Sequence, residues 1–202
     1  MIRIRPKNLA DMIWGYLREQ HRVPLERLEA AAIDNDEKRA QADYDTGSIS
    51  MESMIDLYLL VAHFKFDVIG EVGTFIGNST CAMALAGHGS ITTCDMSNDL
   101  DIQFPFNQSV IQFKKQSSDT MFKAQTKPFD FLYLDGRLNS PEYLRELLTP
   151  NTIVGFDDYE GIEKGVSNMM LVHSLLPNHW IAHSPGKMAL LIPPNVFAYA
   201  RQ

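Results

Sequence analysis

Cysteine is scarce in this chain, which has two cysteines, Cys81 and Cys94, among its 202 residues. Their spacing matches neither a CxxC redox motif nor a zinc-binding pattern. We therefore expect no cysteine-bound metal. We also expect both residues to be reduced thiols in a cytoplasmic protein.

Long apolar runs and an excess of basic residues are also lacking. The N-terminal segment MIRIRPKNLADMIWG contains no uninterrupted apolar stretch, so the sequence predicts neither a signal peptide nor a membrane span. The net charge is −7, which disfavours nucleic acid as the main partner because phosphate contacts need clustered Lys and Arg. With 45% hydrophobic residues and no internal repeat, the chain is suited to one soluble domain.

The spacing of the hydrophobic residues changes near residue 63, from a helical pattern to short β-rich segments. An amphipathic stripe predicts a first helix, made of Leu9, Met12, Ile13, Tyr16 and Leu17. Further helices are expected after Pro24 and from the N-cap residue Ser50. Beyond them, short β-rich segments predict seven strands at residues 67–71, 90–95, 109–114, 129–135, 152–157, 180–184 and 188–192.

This pattern predicts an α/β fold with a Rossmann-like, doubly wound sheet of about seven strands, mostly parallel, plus N-terminal helices. The last two strands are joined by the turn signal Ser184-Pro185-Gly186-Lys187, which predicts a C-terminal antiparallel hairpin. We expect a helical cap at residues 1–63 and a ligand-binding core at residues 64–202. The cap is compatible with covering the sheet, closing over a ligand or pairing two subunits, and covering the sheet is favoured.

Residues 67–80, DVIGEVGTFIGNST, have the features of a cofactor loop. The strand brings Glu71 to the carboxyl edge of the sheet, where open α/β folds bind ligands. Gly73 and Gly77 allow a sharp turn and close approach of a ligand to the backbone. Ser79 and Thr80 are expected to open the next helix as capping residues.

The loop also lacks the marks of two common nucleotide sites. No lysine is present for the phosphate-binding pattern GxxxxGK[ST], and Thr74-Phe75 interrupts the dinucleotide pattern GxGxxG. A carboxylate beside the loop repels a pyrophosphate but suits a cationic amino-acid cofactor. The alternative is an ordinary strand-to-helix turn in another α/β protein.

Further carboxylates follow later strands. Asp95 ends a strand about 20 residues beyond the glycine loop, where an acid binds ribose hydroxyls; the alternative is a turn cap. Asp135 follows one apolar strand, and Asp157 and Asp158 follow the next. These three acids would repel each other unless protonated or neutralised by a cation, which predicts Mg²⁺ or another divalent ion. In the alternative, Asp157 ends its strand and Asp158 caps a helix.

The motif E-V-G-T-F-I-G-N-S-T, with LDG and FDDYEGIEKGV, resembles class I S-adenosylmethionine (SAM) methyltransferases. The likeness covers residues 67–170. It is strongest to the metal-dependent sugar O-methyltransferases of the macrocin and novobiocin type, and weaker to the catechol type. The resemblance implies SAM as cofactor, bound by Ile49, Glu71, Gly73, Thr74, Phe75, Gly77, Ser79, Asp95, Met96, Ser117 and Asp135. It implies metal ligation by Asp135, Asp157 and Asp158.

Within this resemblance, Ser117 is placed against the adenine amine, and Asp119 is expected to cap the helix that follows. One departure concerns the base: the catechol enzymes have a lysine where this chain has Leu138. Deprotonation then falls to Asp135, to a metal-acidified hydroxyl or to a histidine from elsewhere.

We predict methyl transfer from SAM to a hydroxyl oxygen of a small molecule, assisted by Mg²⁺, with Asp135 as the catalytic residue. A homodimer is compatible with this prediction. The alternatives are a catalytically silent SAM-binding regulatory or scaffold protein and, third, an NAD-dependent oxidoreductase. Residues 97–108 suit either a substrate-side loop or an interface patch.

Overall fold

The computed structural model describes residues 6–43, 47–97, 100, 109–138, 142–157 and 162–196. The helices are α1 (Pro6–Gln20), α2 (Leu25–Asp36), α3 (Met51–Phe64), α4 (Asn78–Leu85), α5 (Ser118–Ala124) and α6 (Ser167–Leu175). The strands are β1 (Val68–Val72), β2 (Ser90–Asp95), β3 (Ser109–Lys114), β4 (Phe131–Leu134), β5 (Ile153–Phe156), β6 (Trp180–His183) and β7 (Ala189–Ile192). A short 3₁₀ turn, Arg39–Gln41, follows α2, and a π-helical turn, Ile162–Val166, leads into α6.

The strands form one seven-stranded sheet in the order β3-β2-β1-β4-β5-β7-β6. The first five strands are parallel, and β7 runs antiparallel to both β5 and β6. The predicted Rossmann-like sheet and its C-terminal hairpin are therefore confirmed. Because the winding direction reverses between β1 and β4, the carboxyl ends of these two strands border the crevice where open α/β sheets bind ligands.

Strand boundaries differ most from the prediction at β4 and β5. Predicted strands 129–135 and 152–157 are shortened to Phe131–Leu134 and Ile153–Phe156. Phe129 lies before the β4 ladder, and its backbone bonds to Leu147 and to the hydroxyl of Thr152. As a result, Asp135 and Asp157 lie just beyond the strands, in the loops at the carboxyl edge.

The N-terminal helices cover one face of the sheet. Trp14 of α1, Leu28 of α2 and Leu57 of α3 share a buried cluster with Ile69 and Phe131 of the sheet. The hydroxyl of Ser50 accepts the amide of Ser53 at 3.1 Å, which confirms the predicted cap of α3. This packing supports the role of sheet cover, while the division at residue 63 stays a prediction.

A second buried cluster lies on the other face, where Phe122 of α5 and Val172 of α6 pack against Leu132 and Phe156. Burying both faces stabilises the central strands, since burial of apolar surface is the main favourable term in folding. No helix of the described residues is long and apolar enough to cross a membrane.

The β6–β7 turn is bound to α3. The amide of Gly186 donates to Asp56 at 2.8 Å, and the hydroxyl of Ser53 donates to the Gly186 carbonyl. A Cβ on Gly186 would lie 2.6 Å from the Ser53 nitrogen, so only glycine allows this approach. The C-terminal hairpin thereby anchors the helix that follows Ser48 and Ile49.

Candidate active site

A cavity of about 410 Å³ opens at the carboxyl edge of the sheet, beside the ends of β1, β2 and β4. Six of the residues predicted for the cofactor or metal line it: Gly73, Phe75, Asp95, Met96, Asp135 and Asp157. The predicted residues Ile49, Glu71, Thr74, Gly77, Ser79 and Ser117 are not part of its lining. Ser48, Ser118, Arg137 and Lys164 also line the cavity, and the sequence prediction missed them.

The β1–α4 loop forms one wall. Gly73 has φ +102°, and a Cβ there would lie 2.8 Å from the Gly136 nitrogen, so glycine is required where this loop meets the loop after β4. The amides of Gly73 and Thr74 both donate to the Cys94 carbonyl, at 2.8 and 3.2 Å. The loop is therefore held between the ends of β2 and β4.

The start of α4 differs from the prediction. Gly77, with φ +92°, occupies the N-cap position, whereas Ser79 and Thr80 lie inside the first turn with buried side chains. The predicted capping by Ser79 and Thr80 is therefore wrong. Glycine has no Cβ penalty in this left-handed conformation, and the two hydroxyl residues point instead into the protein interior.

Glu71 lies beneath the loop. Its carboxyl group is fully buried and accepts hydrogen bonds from the hydroxyl of Thr80 and, at 2.6 Å, from that of Thr93. Burial raises the pKa of Glu71, although the hydrogen bonds from Ser79, Thr80 and Thr93 act in the opposite direction. Glu71 thus ties β1 to β2 and α4 and supports the loop from below.

Thr74 and Ile49 also have supporting positions. The hydroxyls of Thr74 and Thr93 are hydrogen-bonded at 2.5 Å in the interior. Ile49 is buried beside Ser48 and borders a second, more open cavity of about 540 Å³ between α2 and α4. Neither residue contributes to the lining of the main cavity.

Asp95 lies at the end of β2 and faces the cavity. Its Oδ2 accepts the amide of Phe75 at 2.8 Å, and its Oδ1 accepts the amide of Ser97 at 2.9 Å. Each carboxylate oxygen has a second lone pair, so Asp95 can still accept hydrogen bonds from a bound ligand. The neighbouring Met96 is 60% exposed at the cavity rim.

The two serines at the start of α5 differ in their position relative to the cavity. Ser117 is the N-cap residue of α5 and does not line the cavity, whereas Ser118 does. The Ser118 hydroxyl is buried and has no hydrogen-bond partner among the described residues. Asp119 lies in the first turn, so its predicted role as the N-cap is wrong. The two-residue error in the position of the N-cap arises because helix boundaries are weakly encoded in sequence.

Asp135 and Lys164, which both line the cavity, form an ion pair. The Lys164 Nζ donates to Asp135 Oδ1 at 2.5 Å, with the two side chains 30% and 18% exposed. Asp157 lines the same cavity, whereas Asp158 lies outside the described residues. Sequence reasoning missed Lys164 because it follows Asp135 by 29 positions and reaches it only through packing.

The metal prediction receives no support from the described residues, which contain no group of three or more His, Cys, Asp and Glu residues placed to hold an ion. Leu138, at the catechol-type lysine position, is buried, and its aliphatic side chain cannot act as a base. Of the lining residues that the structure describes, none is a histidine. His21 and His63 bond to each other at 3.2 Å, and His179 bonds to the Thr152 carbonyl.

Cys94 is a lining residue but a poor nucleophile. Burial, with the nearby carboxylates of Glu71 and Asp95, raises its pKa to about 12. The thiol therefore stays protonated at neutral pH. Cys81 is also a free, buried thiol.

Comparison with known proteins agrees with this geometry. Residues 71–159 match the family model described as a methyltransferase domain. No curated protein sequence matches the chain. The chain is similar to the solved structures of three methyltransferases, at TM-scores from 0.51 to 0.58.

The first is methyltransferase PaMTH1 of Podospora anserina bound to S-adenosylhomocysteine (SAH), at 15% identity and TM-score 0.58, covering 95% of this chain and 98% of that one. The second is the O-methyltransferase TomG of Streptomyces achromogenes, from tomaymycin synthesis, in complex with SAM, at 18% identity and TM-score 0.54, covering 95% and 99%. The third is the TDP-rhamnose 3′-O-methyltransferase CalS11 of calicheamicin biosynthesis, at 18% identity and TM-score 0.51, covering 85% and 96%.

The chain therefore has the fold of these methyltransferases, and its residues 71–159 match the methyltransferase-domain model. The resemblance predicted from the sequence is confirmed.

Proposed function

We propose that this protein transfers a methyl group from SAM to a hydroxyl oxygen of a small molecule. The observation that carries the proposal is the convergence of Gly73, Phe75, Asp95, Met96 and Asp135 on one cavity at the switch point of the sheet. Solved structures of the same fold are described as complexes with SAM or SAH, which supports the choice of cofactor.

Four residues would hold the cofactor. Asp95 would accept hydrogen bonds from the ribose hydroxyls, and Gly73 leaves room for the methionine part of SAM against the backbone. Met96 would pack against the adenine ring. The buried Ser118 hydroxyl would meet the polar edge of the adenine, since it needs a hydrogen-bond partner.

Asp135 would receive the proton of the acceptor hydroxyl. SAM, when bound, supplies the activated methyl group and a neutral thioether leaving group. The acceptor oxygen forms the new O–C bond as the C–S bond breaks, and its proton passes to the Asp135 carboxylate. The cavity walls would align the oxygen behind the methyl group, because alignment of the reacting atoms supplies much of the rate enhancement.

The predicted Mg²⁺ does not fit the described residues. Asp135 would be a ligand, but its Oδ1 is bonded to the Lys164 ammonium at 2.5 Å. A divalent cation at this oxygen would have to displace the ammonium or lie against its like charge. We therefore derive no step of the reaction through a metal.

Two measurements test the proposal. Calorimetry should show that SAM and SAH bind and that NAD does not, because the loop lacks a dinucleotide pattern. Incubation with SAM and a panel of hydroxylated metabolites, followed by mass spectrometry, should reveal a methylated product.

The two measurements also separate the alternatives. Tight NAD binding without any SAM heat would contradict the cofactor assignment. SAM binding without transfer to any acceptor would support a silent binding protein, the alternative that the buried Leu138 favours.

A further inference from the structure

We infer that the Lys164 ammonium group takes the place of a divalent metal at Asp135: it neutralises that carboxylate and contacts the acceptor oxygen during methyl transfer. The inference rests on the proposed function, since it assigns a role in the same reaction. It also makes a claim about cation binding that can be measured without any substrate.

Acidic and basic side chains line the cavity together: Asp95, Asp135 and Asp157 with Arg137 and Lys164. Asp135 and Asp157 line the same cavity, where like charges repel each other. The Lys164 ammonium meets Asp135 at 2.5 Å in a partly buried site, where a charge-assisted hydrogen bond is strong. The protein thus supplies a positive charge at Asp135 from its own chain.

The position of Lys164 is well defined by its neighbours. Lys164 belongs to the π-helical turn Ile162–Val166, and such turns are frequent at functional sites. Asn168, which begins the following turn of α6, is 2% exposed. Its Nδ2 donates to the Gly136 carbonyl at 2.8 Å, and its Oδ1 accepts the Leu138 amide at 3.1 Å. These two bonds fasten the helix to the loop that carries Asp135 and hold the ion pair in place.

The chemistry of an ammonium group fits the role. It has three N–H donors, so it can bond to more than one oxygen at a time. Negative charge grows on that oxygen as its proton leaves, and a fixed donor at that point typically contributes about 10²- to 10³-fold in rate. The bonds formed and broken are those of the proposed reaction, and Lys164 stays protonated throughout.

The experiment compares wild type with Lys164→Gln, Lys164→Arg and the control Lys123→Gln, an exposed lysine outside the cavity lining. Mn²⁺ binding would be followed by the electron paramagnetic resonance of free Mn²⁺, and folding by circular dichroism. Wild type and Lys123→Gln should bind no Mn²⁺ at the site and should keep full transfer in EDTA. Lys164→Gln should gain Mn²⁺ binding, because Asp135 loses its ammonium partner.

Methyl-transfer activity is the second measurement. Lys164→Gln should lose about 10²-fold or more in kcat while its SAM affinity is unchanged, and Lys164→Arg, which keeps the charge, should retain more activity and still bind no Mn²⁺. If Lys164→Gln fails to fold, Lys164→Arg and wild type decide the question through EDTA resistance and Mn²⁺ binding.

Two results would overturn the inference. One is saturable Mn²⁺ binding by wild type that Asp135→Asn abolishes, and the other is full activity in Lys164→Gln. If SAM binds but wild type transfers no methyl group, the proposed function fails, and the Mn²⁺ titration still decides whether Lys164 is the cation of the site.

Discussion

The backbone amide of Phe75 donates a 2.8 Å hydrogen bond to Oδ2 of Asp95. Phe75 has φ +44°, a left-handed conformation that is uncommon for a residue with a side chain, and this bond helps to hold it. Asp95 therefore has two tasks: it braces the loop after β1, and it lines the cavity beside that loop.

Replacement of Asp95 should weaken cofactor binding. We expect Asp95→Ala to reduce the affinity for SAM and SAH by about 1–3 kcal/mol, because hydrogen bonds between ligand hydroxyls and a charged acceptor are lost. Asp95→Asn, which keeps one acceptor oxygen, should lose less. Calorimetry measures both, with the exposed Asp11→Ala as the control. Equal affinities in Asp95→Ala and Asp11→Ala would contradict the role of Asp95.

The two adjacent serines provide a matched pair. Ser118→Ala should weaken SAM binding by about 1 kcal/mol, since a buried hydroxyl would lose its ligand partner. Ser117→Ala should leave SAM affinity nearly unchanged, because the Ser117 side chain makes no capping bond and lies outside the cavity lining. The comparison uses calorimetry on both variants at one temperature. The opposite order of effects would restore Ser117 as the adenine contact.

The buried Glu71 predicts a pH dependence of stability. Its pKa is raised in the folded state, so the folded protein holds this proton more tightly than the unfolded chain does. The resulting stabilisation is complete below the ordinary carboxyl pKa of 4.5 and is lost as pH rises through the raised value.

Glu71→Gln removes this dependence because the amide does not ionise. The unfolding free energy of Glu71→Gln, relative to wild type without ligand, should therefore rise as the pH increases above 4.5 and through the raised pKa of Glu71. Chemical denaturation measured across this range provides the test, with the exposed Glu146→Gln as the control. A difference that is constant with pH would show that Glu71 does not change its ionisation relative to the unfolded chain.

Replacement of two glycines by alanine should change the stability of the protein in opposite directions. Gly73→Ala should destabilise the protein by about 1–3 kcal/mol, because φ is +102° and the new Cβ would lie 2.8 Å from the Gly136 nitrogen. Gly15→Ala should stabilise it by about 0.5–1 kcal/mol, since Gly15 is inside α1 and no atom lies within 4 Å of its Cβ position. Melting curves of the two variants measure both effects. A stable Gly73→Ala protein would contradict the close packing of the two loops.

Local patterns in the sequence were sufficient to predict the order of the strands along the chain and the C-terminal hairpin. Alternating apolar segments located all seven strands, and the Pro185-Gly186 signal predicted the antiparallel hairpin. Helix and strand boundaries were less accurate, as at Ser117 and Ser79, because a shift of one residue changes local energy little. The positive φ of Gly73 and Gly77 was also predictable, since glycine alone adopts it without a Cβ penalty.

By itself, the sequence determined the α/β fold, the glycine-containing β1–α4 loop and the placement of Asp95, Asp135 and Asp157 at one sheet edge, because these features depend on short-range periodicity and on strand ends. The tertiary structure alone decided which of these residues face the cavity. It placed Glu71 beneath the loop, brought Ser118 rather than Ser117 to the cavity lining and paired Lys164 with Asp135. Such contacts join residues far apart in the chain, and their geometry depends on the packing of whole helices, which no local pattern encodes.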